Sequence, residues 1–191
     1  PDLLTIRAEA PRLSKIGRHC LLQLACSHKF KLEVGDVSTA FLQGDKEEQN
    51  RDVYLEPTAD LRQRLNIGKE SILKLTGSVY GLRNAPRAWY QRVKKDLEAL
   101  GWRCHQLDQR VFLKYDGEEL VGICGVYVGD FIIAGKHNGR TWQIEKDKLK
   151  KLYKWGKWET DTFTLCGVRY IQKKDYPVYM YFQKQLQTFP A

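Results

Sequence analysis

The sequence predicts an α+β fold: an antiparallel sheet with helices packed on one of its faces. Three observations lead there. Stretches at helical period interleave with short apolar or alternating stretches of strand length. Tight turn signals such as Asp116-Gly117 join neighbouring strands and make them antiparallel. The chain, at 191 residues, suits one domain or one domain with a subdomain.

The elements follow in order. Leu13, Ile16, Cys20 and Leu24 recur at helical spacing, which predicts a helix to about Ser27. KFKLEVGDV then alternates and reads as a strand that delivers Asp36 at its end. Ser38 to Gly44 reads as a turn or short helix, DVYLEP as a short strand closed by Pro57, and Ala59 to Leu65 as a brief helix. Ser71 to Leu75 is a further strand. A helix runs from Pro86 to about Leu100, burying Trp89, Val93, Leu97 and Leu100 and showing Arg92, Lys94 and Lys95 to solvent. Pro86 suits a first helical turn and Gly101 a stop.

Val111 to Tyr115 and Glu119 to Tyr127 pair around Asp116-Gly117, and Phe131 to Ala134 pairs back after Tyr127-Val128-Gly129-Asp130. Trp142 to Tyr153 is a lysine-rich amphipathic helix, with Trp142, Leu149, Leu152 and Tyr153 available to a core. TLCGVRYI and PVYMYF close the chain's pattern as a last hairpin.

Composition sets outer bounds. Apolar and charged fractions of 42% and 29% are those of an ordinary globular protein. No apolar run approaches the roughly 18 residues that a membrane span needs, and no secretory leader pattern stands at the front. A first residue of Pro1 reads as a fragment of a longer polypeptide. The five cysteines are scattered without a CxxC pair, which argues against zinc and for buried free thiols in a reducing, intracellular compartment. A net charge of +9 favours a polyanionic partner, RNA or DNA first, and equally fits a basic solvated surface such as Lys146 to Lys154.

Asp36 at a strand end and Asp130 at a hairpin tip are the candidate acids. Strand ends that converge carboxylates suit hard divalent cations and metal-assisted phosphoryl transfer. The spacing alone fits ordinary surface aspartates as well.

GDVSTAFLQGD, VYLEP, LKLTGSVYGLRNAPRAWY, VYVGDFIIAG and FTLCGVRYI occur in that order. Together they resemble the reverse transcriptase (RNA-directed DNA polymerase) of copia-type long-terminal-repeat retrotransposons, over nearly the whole chain. The resemblance implies a right-hand polymerase palm with partial fingers and no thumb, one reverse-transcriptase-like domain over 1–191, and a primer-grip-like hairpin within 163–182. It makes Asp36 the first catalytic aspartate and Phe41 the aromatic steric gate beneath the sugar, with Leu42 in the same pocket. Tyr80, Gly81 and Arg83 fall where the family contacts the incoming nucleotide or template. Leu165, Cys166, Gly167 and Val168 match the primer grip. Phe41 as plain core and Arg83 as a solvated loop residue are the ordinary alternatives.

Two departures stand out. The family carries Tyr-x-Asp-Asp at the hairpin, with the first of those aspartates bridging two Mg2+ ions. Here that position is Gly129, followed by Asp130. Two carboxylates do not hold two magnesium ions, so the expectation is an inactive palm with no metal bound, and a turn that glycine keeps free of strain. The second departure is extent: finger hairpin, thumb and ribonuclease H lie outside the sequence. Three functions compete on this basis: a relic palm that no longer polymerises, a fragment of a working polymerase, and a domesticated structural or interaction subunit with protein neighbours in a larger assembly.

Overall fold

In a computed structural model of the chain, residues 10–44 and 52–182 are described. Asp45, the last residue of the first motif, and both ends of the expected 1–191 domain lie outside them. The chain divides into two compact units and crosses between them at Ala10/Pro11, Ser38/Thr39 and, inside a helix, Val93/Lys94.

The unit holding Thr39–Val93 is built from short elements. Thr39, left-handed at φ 50, turns the chain into a 3-10 turn, Ala40–Gln43. Strand β2 (Tyr54–Leu55) pairs antiparallel with β3 (Leu73–Lys74). Between them α2 spans Ala59–Leu65, the bounds the sequence predicts. Thr58 caps it by accepting from the Leu61 amide, and left-handed Asn66 ends it. The Arg62 guanidinium donates to the Gly68 and Ser71 carbonyls at 2.9 Å each, which fixes the loop after the helix. Gly81, at φ 95, leads towards α3 (Ala85–Ala99). Trp89, Val93 and Leu97 of α3 are fully buried as expected. Leu100 lies beyond the helix and only half-buried, and Lys95 alone of the three expected cations is fully exposed.

The unit holding Pro11–Ser38 and the chain from Lys94 carries the main sheet. Helix α1 (Lys15–Ser27) starts where the Ser14 hydroxyl accepts from the Gly17 amide at 2.8 Å. Then come β1 (Lys31–Val37), β4 (Arg103–Cys104), β5 (Val111–Asp116), β6 (Glu119–Tyr127), β7 (Asp130–Gly135), α4 (Arg140–Leu152) and β8 (Trp155–Thr160). The six strands form one sheet in the order β4-β5-β6-β7-β1-β8, and every neighbouring pair is antiparallel. Gly117, at φ 60, makes the β5–β6 turn as its Asp-Gly signal predicts. Strands β9 (Thr162–Leu165), β10 (Val168–Gln172) and β11 (Val178–Phe182) form a second, three-stranded sheet.

The expectation of helices on one sheet face is corrected here. Successive side chains of a strand point to opposite faces, so parity assigns the layers. Leu32 and Val34 of β1, Ile123 of β6, and Ile132 and Ala134 of β7 form one core with Leu21 of α1. Phe163, Leu165, Val168 and Tyr170 of the small sheet join that same face. The opposite parity meets α4. A Cβ placed on Gly135 or Gly122, which face each other in register, would strike Trp142. Glu33 on β1 likewise accepts from Lys146 of α4 at 2.7 Å. Helices α1 and α4 therefore cover opposite faces. β1 consequently shows a nearly continuous buried pattern instead of the expected alternation.

The buried face of α1 is a separate finding, and the expectation of buried thiols fails. In α1 the inward residues are Leu21, Leu22 and Ala25, while Ile16 is 76% exposed and Leu24 37%. Of the cysteines only Cys124 is buried, with Cys20 and Cys166 exposed.

Candidate active site

Both candidate acids lie in the unit with the main sheet. Asp36 stands one residue before the end of β1, and Asp130 opens β7. In the antiparallel register Asp36 and Asp130 are direct partners. Directly opposed side chains have Cβ atoms about 4.5–5.5 Å apart, and like charges there repel. By parity both emerge on the face that α1 and the small sheet cover. Asp36 is exposed and Asp130 half-buried. Burial pushes the Asp130 carboxyl above the ordinary carboxylate range, and the facing Asp36 pushes it the same way.

Gly129 lies beside the pair: its carbonyl accepts from the Val37 amide at 2.8 Å. The turn does not use glycine as expected, however. The positive φ of 55 falls on Val128, a β-branched residue, and not on Gly129. Left-handed backbone crowds a branched Cβ, so the strain stays in this turn. Gly129 relieves none of it.

The small-sheet hairpin meets this hairpin at its tip. Cys166 and Gly167, at φ 49 and 72, form the turn between Leu165 and Val168, which pair in register and are buried. Burial pushes the Cys166 thiol up, Arg18 of α1 pulls it down, and Asp130 pushes it up. Asp130, Tyr127, Cys166 and Arg18 thus share one polar neighbourhood. Arg18 gave no signal in the sequence, because a lone arginine on an amphipathic helix reads as surface.

In the other unit, Phe41 packs on Tyr80 with ring centroids 5.1 Å apart and planes at 52°. Phe41 is half-buried. Leu42, Tyr80, Gly81 and Arg83 are exposed, and Arg83 interacts with another group.

The donor set decides what this hairpin could hold. Among the described residues, no three His, Cys, Asp or Glu side chains gather closely enough to bind a metal ion. Asp36 and Asp130 are two carboxylates, fewer than the set that the resemblance implies for a pair of hard cations. No helix among the described residues is long and apolar enough to cross a membrane.

Comparison with known proteins agrees with the order of motifs. The family model "Reverse transcriptase (RNA-dependent DNA polymerase)" matches residues 5–185. The retrovirus-related Pol polyprotein from transposon TNT 1-94 of Nicotiana tabacum is 33% identical over 141 residues, covering 74% of this chain and 10% of that protein. The corresponding polyprotein from transposon RE1 of Arabidopsis thaliana is 30% identical over 137 residues, 71% of this chain and 9% of that protein. The transposon Ty1-BL Gag-Pol polyprotein of Saccharomyces cerevisiae is 28% identical, covering 69% and 7%. The chain thus spans about a tenth or less of the length of these three relatives. No solved structure matches. A family match over 5–185 and relatives drawn from copia-type Pol polyproteins lead to one conclusion: the chain belongs to the reverse transcriptase family of copia-type retrotransposons.

Proposed function

We propose that this chain is a reverse-transcriptase palm with partial fingers that no longer polymerises, and that Gly129 is the first cause. The reading takes the six-stranded unit as the palm and the Thr39–Val93 unit as the finger portion. The carrying observation is the register pair Asp36–Asp130 with Gly129 bonded beside it, where the family motif calls for an acid. Asp36 and Asp130 retain the roles of catalytic carboxylates in position only. Phe41 and Leu42 take the sugar-facing pocket, Tyr80, Gly81 and Arg83 the nucleotide or template contacts, and Leu165 to Val168 the primer grip. When bound, paired Mg2+ would supply charge stabilisation to attacking and leaving oxygens. This chain's two carboxylates would orient one ion at most. Nucleic acid is the partner on this reading, held through phosphate contacts by a chain of net charge +9.

Loss of one electrostatic contact in a transition state costs about 10²- to 10³-fold in rate, and a bridging ligand costs more. Primer extension on an RNA template with Mg2+ is therefore expected at background for the Gly129 chain. Gly129→Asp is expected to bind Mn2+ more tightly than the Gly129 form does. Robust extension by the Gly129 form overturns the reading.

A further inference from the structure

Strand β8 was not expected from the sequence, and its pairing with β1 is irregular at one place. Gly35 faces Trp158 and Val37 faces Trp155. Between those pairs β1 has Asp36 alone, while β8 has both Gly156 and Lys157. Two residues opposing one is a β-bulge, a device that bends its strand and re-aims side chains, often beside active sites. Here the single opposed residue is the acid of β1. The strand end is held on both sides of it: the Val37 amide donates to Gly129, and the Ser38 amide donates to the Lys154 carbonyl at 2.9 Å.

Gly156 has a spatial reason to be glycine. A Cβ there would lie 2.9 Å from Ser38 Oγ and 3.1 Å from Asp36 Oδ2. Its φ is not positive, so the backbone itself would accept alanine. The space is what matters: the Ser38 hydroxyl and the Asp36 carboxylate together occupy the room that a side chain at 156 would fill. We infer that the Gly156–Lys157 bulge is the element that aims Asp36, with Gly156 a positioning residue for that carboxylate. This rests on the reading of Asp36 as the palm's first acid only for its functional meaning, not for its geometry.

Both atoms that the new methyl would meet are side-chain ends that can rotate, so Gly156→Ala is expected to fold. The first measurement is the χ1 of Asp36 in the unaltered chain and in Gly156→Ala, from side-chain scalar couplings by NMR. A changed rotamer distribution with the melting temperature kept is the expected result; an unchanged one overturns the inference. The second is Mn2+ affinity on the Gly129→Asp background. Gly156→Ala is expected to weaken it about 10- to 100-fold, as loss of a ligand-orienting contact does, whereas Lys157→Ala leaves it within about twofold of that background. Equal affinity with and without Gly156→Ala overturns the inference. If Gly129→Asp itself binds no Mn2+, the reading of the palm's acids fails, and χ1 alone decides the positioning.

Discussion

Replacing Gly135 by alanine tests the layer on which α4 rests. The new Cβ would lie within 2.5 Å of three ring atoms of Trp142, closer than real Cβ contacts come. Trp142 is 1% exposed and has little room to yield. A Cβ on Gly122 across the register would also meet its ring, at 2.6 Å, and Trp102 stands at 6.4 Å edge-on. Overpacking that side chains can absorb costs about 1–3 kcal/mol. Expelling a buried tryptophan costs about 3–5 kcal/mol. Because these ring atoms are not a flexible end, the expected loss is about 3–5 kcal/mol, read by urea denaturation with an unchanged m-value. Trp142→Leu alone opens a void that the added methyl can enter. The double variant should therefore lose at least about 1 kcal/mol less than the sum of the singles. A loss below about 1 kcal/mol for Gly135→Ala, or strict additivity, refutes the packing argument.

Glu33 is buried, with its carboxylate taking Lys146 Nζ and Trp158 Nε1 at 2.7 Å each, so Glu33→Ala should cost about 3–5 kcal/mol in urea melts. Replacing Glu33 and Lys146 together by methionine should cost much less. Asp130 holds its proton to higher pH in the folded chain than in the unfolded chain. Its share of stability is therefore full below the unfolded value near 4 and is lost as pH rises through the raised folded value. Asp130→Asn should abolish that slope and gain about 0.5–1 kcal/mol at neutral pH, seen as a difference between the two stability–pH curves. Val128→Asn, relieving a branched residue at φ 55, should gain about 1 kcal/mol, and a melting temperature that does not rise would show the turn unstrained.

Much of this was readable from residue pattern. The Asp-Gly turn, the bounds of α2 and three of the four expected buried residues of α3, Trp89, Val93 and Leu97, depend on local chemistry and came out as read, while Leu100 did not. Failures arise where long-range packing decides. The apolar stripe Ile16–Cys20–Leu24 and the stripe Leu21–Leu22–Ala25 are both available on α1, and only the sheet beneath selects the second. β8 was missed because its bulge breaks the alternation that marks a strand, so Trp155 and Trp158 fall out of period two. The pairing of Asp36 with Asp130 was legible in their place at element ends. Arg18 and Gly156 were not, since their importance lies in what the fold brings beside them.

The opposed placement of α1 and α4 has a bearing on length variation. Each residue of β1 belongs to one layer or the other by odd or even position alone. Deleting one residue between Leu32 and Gly35 would exchange the two sets downstream, turning Asp36 towards α4 or forcing Glu33 into the apolar layer beneath α1. Deleting two would shorten the strand yet leave each survivor facing its own layer. Indels in this segment should therefore be graded by parity rather than by size, with the smaller deletion the more harmful.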